Sequence, residues 1–94
     1  MGITFTWNAE KAAQNLKDHG VSFDEAKTVF ADPLSHLAED REHSFPGEER
    51  FITIGQSLSR RTLVVVHVDG EAEDTVRIIS ARPATRAEQR RYEG

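Results

Sequence analysis

The stretch Val76-Arg77-Ile78-Ile79-Ser80-Ala81-Arg82 decides how this chain is read. It is a run of β-branched apolar residues with an arginine towards each end and a serine inside, which marks it as a strand. Pro83-Ala84-Thr85-Arg86-Ala87-Glu88 follows at once, and Thr85 and Glu88 have the spacing of a capping box that opens a short C-terminal helix. A buried strand has no use for two guanidinium groups, so the segment combines core and chemistry. Strict two-residue alternation puts Ile78, Ser80 and Arg82 on one face and Arg77 on the other. A bulge, or a place beyond the covered part of the sheet, is needed to bring both arginines to one pocket. Arg82, at the strand's end on the Ser80 face, is the arginine this pattern favours.

The neighbouring segments supply partners for that strand. Thr62-Leu63-Val64-Val65-Val66-His67-Val68 is apolar on both faces, as a central strand is, with Leu63, Val65 and His67 sharing one of them. Asp69-Gly70-Glu71 is turn chemistry leading to the strand from Thr75, and Arg50 to Gly55 is a further strand ended by a turn at Ser57 to Arg60. Between Leu34 and Gly47 the pattern is weak. A short edge strand at Ser35–Asp40 and a charged loop from Arg41 to Gly47 are expected there.

The N-terminal third is helical after a short strand at Ile3–Trp7. Asn8 caps a helix over Ala9 to His19, closed by Gly20, with Ala9, Ala12, Ala13 and Leu16 as its apolar stripe. Lys11, Asn15 and His19 line up along a second face of it. Ser22-Phe23-Asp24-Glu25 opens a second helix that buries Phe23, Ala26, Val29 and Phe30 and stops at Asp32-Pro33. The order predicts a single α+β domain over residues 1–94. It has a twisted, mostly antiparallel sheet, two N-terminal helices and a short C-terminal helix, with the helices on one face and the other face open.

Net charge is −4, but it is unevenly spread. Residues 1–49 hold four Lys/Arg against ten Asp/Glu, whereas residues 50–94 hold eight Arg, no Lys and six Asp/Glu. Arginine offers a planar fork to phosphate or carboxylate where lysine offers a mobile point charge. The chain has no cysteine, which removes disulfides, thiol nucleophiles and cysteine-held zinc and agrees with a reducing cytoplasm. No apolar run is long enough for a membrane span. His19, His36, His43 and His67 lack metal-ligand spacing, and no phosphate loop, nucleophile elbow or dinucleotide fingerprint occurs, so neither a metal nor a cofactor is expected. Arginine, histidine, glutamate and tyrosine around a sheet remain. They suffice for metal-free cleavage of RNA, in which a 2′-hydroxyl loses a proton, a pentavalent phosphate is stabilised and a 5′-oxygen departs.

Residues from nearly the whole chain also resemble the BrnT toxin family. They are Phe5-Thr6-Trp7-Asn8, Lys11, Asn15, His19-Gly20-Val21-Ser22-Phe23-Asp24-Glu25-Ala26, Val29-Phe30 and Asp32-Pro33 in the first half. In the second half they are Glu49-Arg50, Gly55, Arg61, Leu63 to His67, Arg77 to Arg82, Ala84-Thr85-Arg86, Glu88 and Tyr92. The resemblance implies a RelE-like fold and the toxin of a type II toxin–antitoxin pair, cutting RNA and blocking translation in the cytoplasm. It also implies a BrnA-like ribbon-helix-helix antitoxin, a toxin–antitoxin heterotetramer, and operator DNA bound through the antitoxin alone. Carried over residue by residue, Arg82, Arg77, His67, Glu49, His19 and Tyr92 are the catalytic candidates, and Arg50, Arg61, Lys11 and Arg86 the RNA-binding ones. Two positions depart from the family pattern. Asn8 replaces a common Asp, and Asp18 reverses the charge that usually precedes His19. A second class of function, a binding module whose arginine face meets an acidic partner, fits the same charge distribution.

Overall fold

The computed structural model describes residues 2–94. In chain order the elements are β1 (Thr4–Thr6), α1 (Ala9–His19), α2 (Phe23–Lys27), β2 (His36–Phe45), β3 (Glu48–Gln56), β4 (Thr62–Asp69), β5 (Thr75–Pro83) and α3 (Arg86–Glu93). Helix α2 tightens into a 3₁₀ turn over Thr28–Ala31. The strands form one sheet in the order β1-β5-β4-β3-β2, antiparallel throughout except for the parallel pair of β1 and β5. An α+β domain with a mixed, mostly antiparallel sheet is therefore the observed architecture.

One face of the sheet carries the core. Val21, Phe23, Ala26 and Val29 from the helical corner pack against Leu63, Val65, Ile78 and Ala81 from β4 and β5, all of them buried. Phe5 and Trp7 close the edge of this cluster, with ring contacts to Phe30 at 5.0 Å and to Phe23 at 5.8 Å. Burying aromatic and branched side chains of this size is worth roughly 1.5–3 kcal/mol each, which makes this cluster the main stabilising unit. Gly55 lets the corner sit flush on β3, because a Cβ there would lie 2.8 Å from the Val29 Cγ1.

The caps form as their residues predict: Asn8 accepts from Lys11 N–H, Ser22 from Glu25 N–H, and Thr85 and Glu88 make a reciprocal box. The expected apolar stripe on α1 does not hold. Leu16 is half exposed and Ala9 and Ala13 are exposed, while the polar Asn15 is buried. The cause is the short first strand. β1 pairs with β5 only as far as Arg77, leaving the next backbone groups of β5 without a strand beside them. Asn15 takes that place: its amide donates to the carbonyls of Ala81 (2.8 Å) and Val21 (2.9 Å) and accepts from the Ala81 N–H (3.1 Å). A side-chain amide stands in for a neighbouring strand, so α1 must turn this residue inward.

Two further expectations need correction. The segment Arg41–Gly47 is not simply a loop: β2 runs on to Phe45 and turns into β3 through Pro46 and Gly47, with φ of 86° at the glycine. The pairing slips between Asp40↔Arg50 and Phe45↔Glu48, so Arg41, Glu42, His43 and Ser44 are set against the single residue Glu49. Nor are the helices confined to one side. Glu88 of α3 holds Arg82, and the Tyr92 ring lies 5.8 Å from that of His36. Arg82 and His36 belong to one cross-strand row on the second face, so α3 spans that end of it.

Candidate functional site

The second face is decided by one residue. Val66 pairs with Ser80 and the next residue of β4, His67, pairs with Ile78, so Ile79 is an extra residue in β5. This bulge reverses the alternation beyond it. Ile78, 2% exposed, faces the core, and Arg77 comes round to the same side as Ser80 and Arg82. Both arginines thus share a face, against strict alternation, and Ile78 does not share theirs.

The partners across the sheet complete the surface. Arg77 lies opposite Val68, Val68 opposite Arg50, and Arg50 opposite Asp40, with Thr6 of β1 on the far side of Arg77. Directly paired residues on one face bring their Cβ atoms to about 5 Å, so Arg77 and Arg50 stand either side of the buried Val68. Neither arginine has a carboxylate within ion-pair distance among the described residues. The Arg50 Nε is buried and makes no hydrogen bond. Two guanidinium groups without an ion pair thus flank an apolar side chain on one face of the sheet. An open groove runs beside it, lined by Thr4, Thr6, Gly47, Glu48, Val68 and Arg77 among others.

Other candidate residues fall elsewhere. Arg82 is on the shared face, but its two terminal nitrogens donate to both oxygens of Glu88 at 2.7 and 2.8 Å. That fork, with the Thr85 N–H, holds the Glu88 carboxyl down at a pKa of about 2. Arg61 is likewise engaged, giving Nε to Glu25 at 3.0 Å and a terminal nitrogen to the Gly20 carbonyl at 3.0 Å. These bonds tie the β3–β4 turn to the helical corner and lower the Glu25 pKa. Tyr92 donates its hydroxyl to Asp32, which raises its own pKa, and so fastens the end of α3. Lys11 and His19 are exposed on α1, whose Ala12 packs on the core side, opposite Arg77. Arg86 is exposed at the start of α3. Alternation on β3 sets Glu48, not Glu49, on the Arg50 face, and Glu48 lines the groove.

His67 lies in the core, facing away from the arginines. It is 5% exposed, bonded through Nε2 to Thr53 Oγ1 at 2.8 Å and flanked by the rings of Phe30 and Phe51. Nδ1 is buried without a partner, so a charged ring would strand an N–H in apolar surroundings. Burial drives its pKa down to about 4, with Asp69 opposing weakly. A depressed folded-state pKa means stability that is complete above the ordinary value near 6.5 and drains away as pH falls towards 4. Denaturant titrations at pH 7 and pH 4.5 should differ by about 2–3 kcal/mol in the parent chain from this group. His67→Gln should lack that difference, leaving the loss below pH 4.5 that belongs to Glu88, Glu25 and Asp32.

The fold is that of a small α+β protein with two arginines on one face of its sheet. The family model described as "Ribonuclease toxin, BrnT, of type II toxin-antitoxin system" matches residues 7–88. The chain belongs to that family of toxins. The crystal structure of the Brucella abortus ribonuclease toxin BrnT superposes with a TM-score of 0.68, at 16% identity, covering 89% of this chain and 99% of that one. At that identity the likeness speaks for the fold. No curated protein sequence matches the chain. No helix among the described residues is long and apolar enough to cross a membrane.

Proposed function

We propose that the chain is an endoribonuclease that cuts RNA without a metal ion, and that the groove beside Arg77, Val68 and Arg50 is where the phosphate binds. The observation that carries this is the pair of guanidinium groups on one face of the sheet that make no ion pair among the described residues. Arginine forks aimed at a phosphate stabilise the charge that grows on its oxygens as the 2′-hydroxyl attacks. Arg82 keeps α3 in place at the end of this face, through Glu88. Cutting messenger RNA would stop translation, and a BrnA-like ribbon-helix-helix antitoxin, joined to the toxin as a heterotetramer in the cytoplasm, would silence it and bring the pair to operator DNA. The RelE-like relationship and the single-domain organisation over 1–94 belong to the same proposal. Purified protein incubated with single-stranded RNA should cleave it undiminished in excess chelator, with binding that weakens steeply as salt rises. Cleavage abolished by chelation would overturn the metal-free mechanism. Tight RNA binding with no cleavage under any condition would favour the binding module.

A further inference from the structure

The geometry points to His43, held by Asp40, as the proton-transfer group of this site, an assignment that rests on the ribonuclease function proposed above. His43 lies in the four-residue excursion of β2, where sequence patterning gave it no role. Its Nδ1 lies 3.0 and 3.2 Å from the two oxygens of Asp40. Asp40 sits directly opposite Arg50, at the end of the row that runs through Val68 to Arg77. The carboxylate side chain is 13% exposed and the imidazole 63% exposed, so a sheltered acid orients an open ring. That is the base–orienter arrangement of acid–base enzymes, in which the carboxylate engages Nδ1 and Nε2 is the nitrogen available to a substrate.

The excursion is pinned in place. Ser44 Oγ donates to the Asp40 carbonyl at 2.6 Å and accepts from the Arg50 N–H at 2.9 Å, fixing the residue next to His43 against the arginine's own backbone. The proton-transfer candidates carried over from the family resemblance are placed otherwise. His67 is in the core, His19 lies on the opposite side, Tyr92 is bonded to Asp32, and Glu49 lies off the Arg50 face. The charged groups on the elements that meet here are Asp40 on the same strand, Arg50 and Glu48 on β3, and Arg41 and Glu42 within the excursion. With a phosphodiester across Arg50 and Arg77, Nε2 takes the proton from the 2′-hydroxyl as the O2′–P bond forms. The P–O5′ bond breaks and the 5′-oxygen leaves with a proton from water, after which the imidazolium returns its proton to solvent. The products are a 2′,3′-cyclic phosphate and a 5′-hydroxyl end.

A defined single-stranded oligoribonucleotide, the parent chain and the variants His43→Ala, His43→Gln, Asp40→Asn and Arg77→Ala test this. Both His43 variants should lose about 10²–10⁴-fold in kcat, the range of acid–base catalysis, with KM held within about threefold. They should also lose the limb of the pH–rate profile on which the ring gives up its proton. Added imidazole should restore part of the rate to His43→Ala and none to Asp40→Asn, where the ring is present but no longer oriented. His43 variants that cleave within about threefold of the parent, while Arg77→Ala does not cleave, would make the dyad a structural contact and leave the nuclease intact. A parent chain that cleaves no RNA would overturn the nuclease and His43 with it.

Discussion

Replacing Arg77 with alanine is expected to reduce RNA cleavage by about 10²–10³-fold, the usual loss when one preorganised donor to a developing oxyanion is removed. The same change should leave the fold alone. Arg77 is exposed and has no ion-pair partner among the described residues, so the unfolding free energy should change by no more than about 0.5 kcal/mol. Lysine at this position keeps the charge and loses the planar fork, so Arg77→Lys should recover binding more fully than rate. Cleavage rates and a chemical melt measured on the same preparations separate these effects. A variant that cleaves at the parental rate would remove Arg77 from the site. One that melts several kcal/mol earlier would make it a structural residue instead.

The largest effect on stability should come from Asn15→Ala, a loss of about 3–5 kcal/mol. The amide meets three buried backbone groups, the carbonyls of Val21 and Ala81 and the N–H of Ala81, and alanine strands all three. Each buried group left without a partner costs about 1–3 kcal/mol. Asn15→Asp keeps the acceptor for the Ala81 N–H but sets a carboxylate against two carbonyl oxygens, and should be at least as damaging. Urea midpoints at constant slope measure both. A loss below about 1 kcal/mol for Asn15→Ala would mean that water replaces the amide there.

Much of the fold is written locally. Asn8, Ser22 and Thr85 cap their helices through their own side chains, and the apolar run of Thr62 to Val68 becomes a central strand because both its faces are covered. The departures have non-local causes. Burying Asn15 makes sense only once β1 is known to end at Thr6, and nothing within α1 records that. The strand through Arg41–Ser44 carries four charged or polar residues against one partner residue, so no alternation survives to mark it, although Pro46-Gly47 signals the turn. His67 shares the alternation of Leu63 and Val65, but with both faces of the strand apolar nothing local marks theirs as the core face; its catalytic role is what the family resemblance implies. His43 stands out only in the folded chain, because its partner Asp40 and its neighbour Arg50 meet only across the hairpin.

Ile79 governs how this strand can be compared with others. In a plain pleated strand, two side chains that face the same way are separated by an even number of positions, yet Arg77 and Arg82 are five apart and still co-facial. A strand without the extra residue would reach the same arrangement with its arginines four apart. Aligned without a gap, such a strand would match one of this chain's arginines and set a core position against the other. The unmatched position belongs at Ile79, where it costs the sheet no side chain on either the Ile78 row or the Ser80 row. Trimming the chain by one residue at that point leaves both arginines in phase. Trimming Ala81 instead keeps them in phase only if the bulge is given up, which turns Ser80 into the core row in place of Ala81.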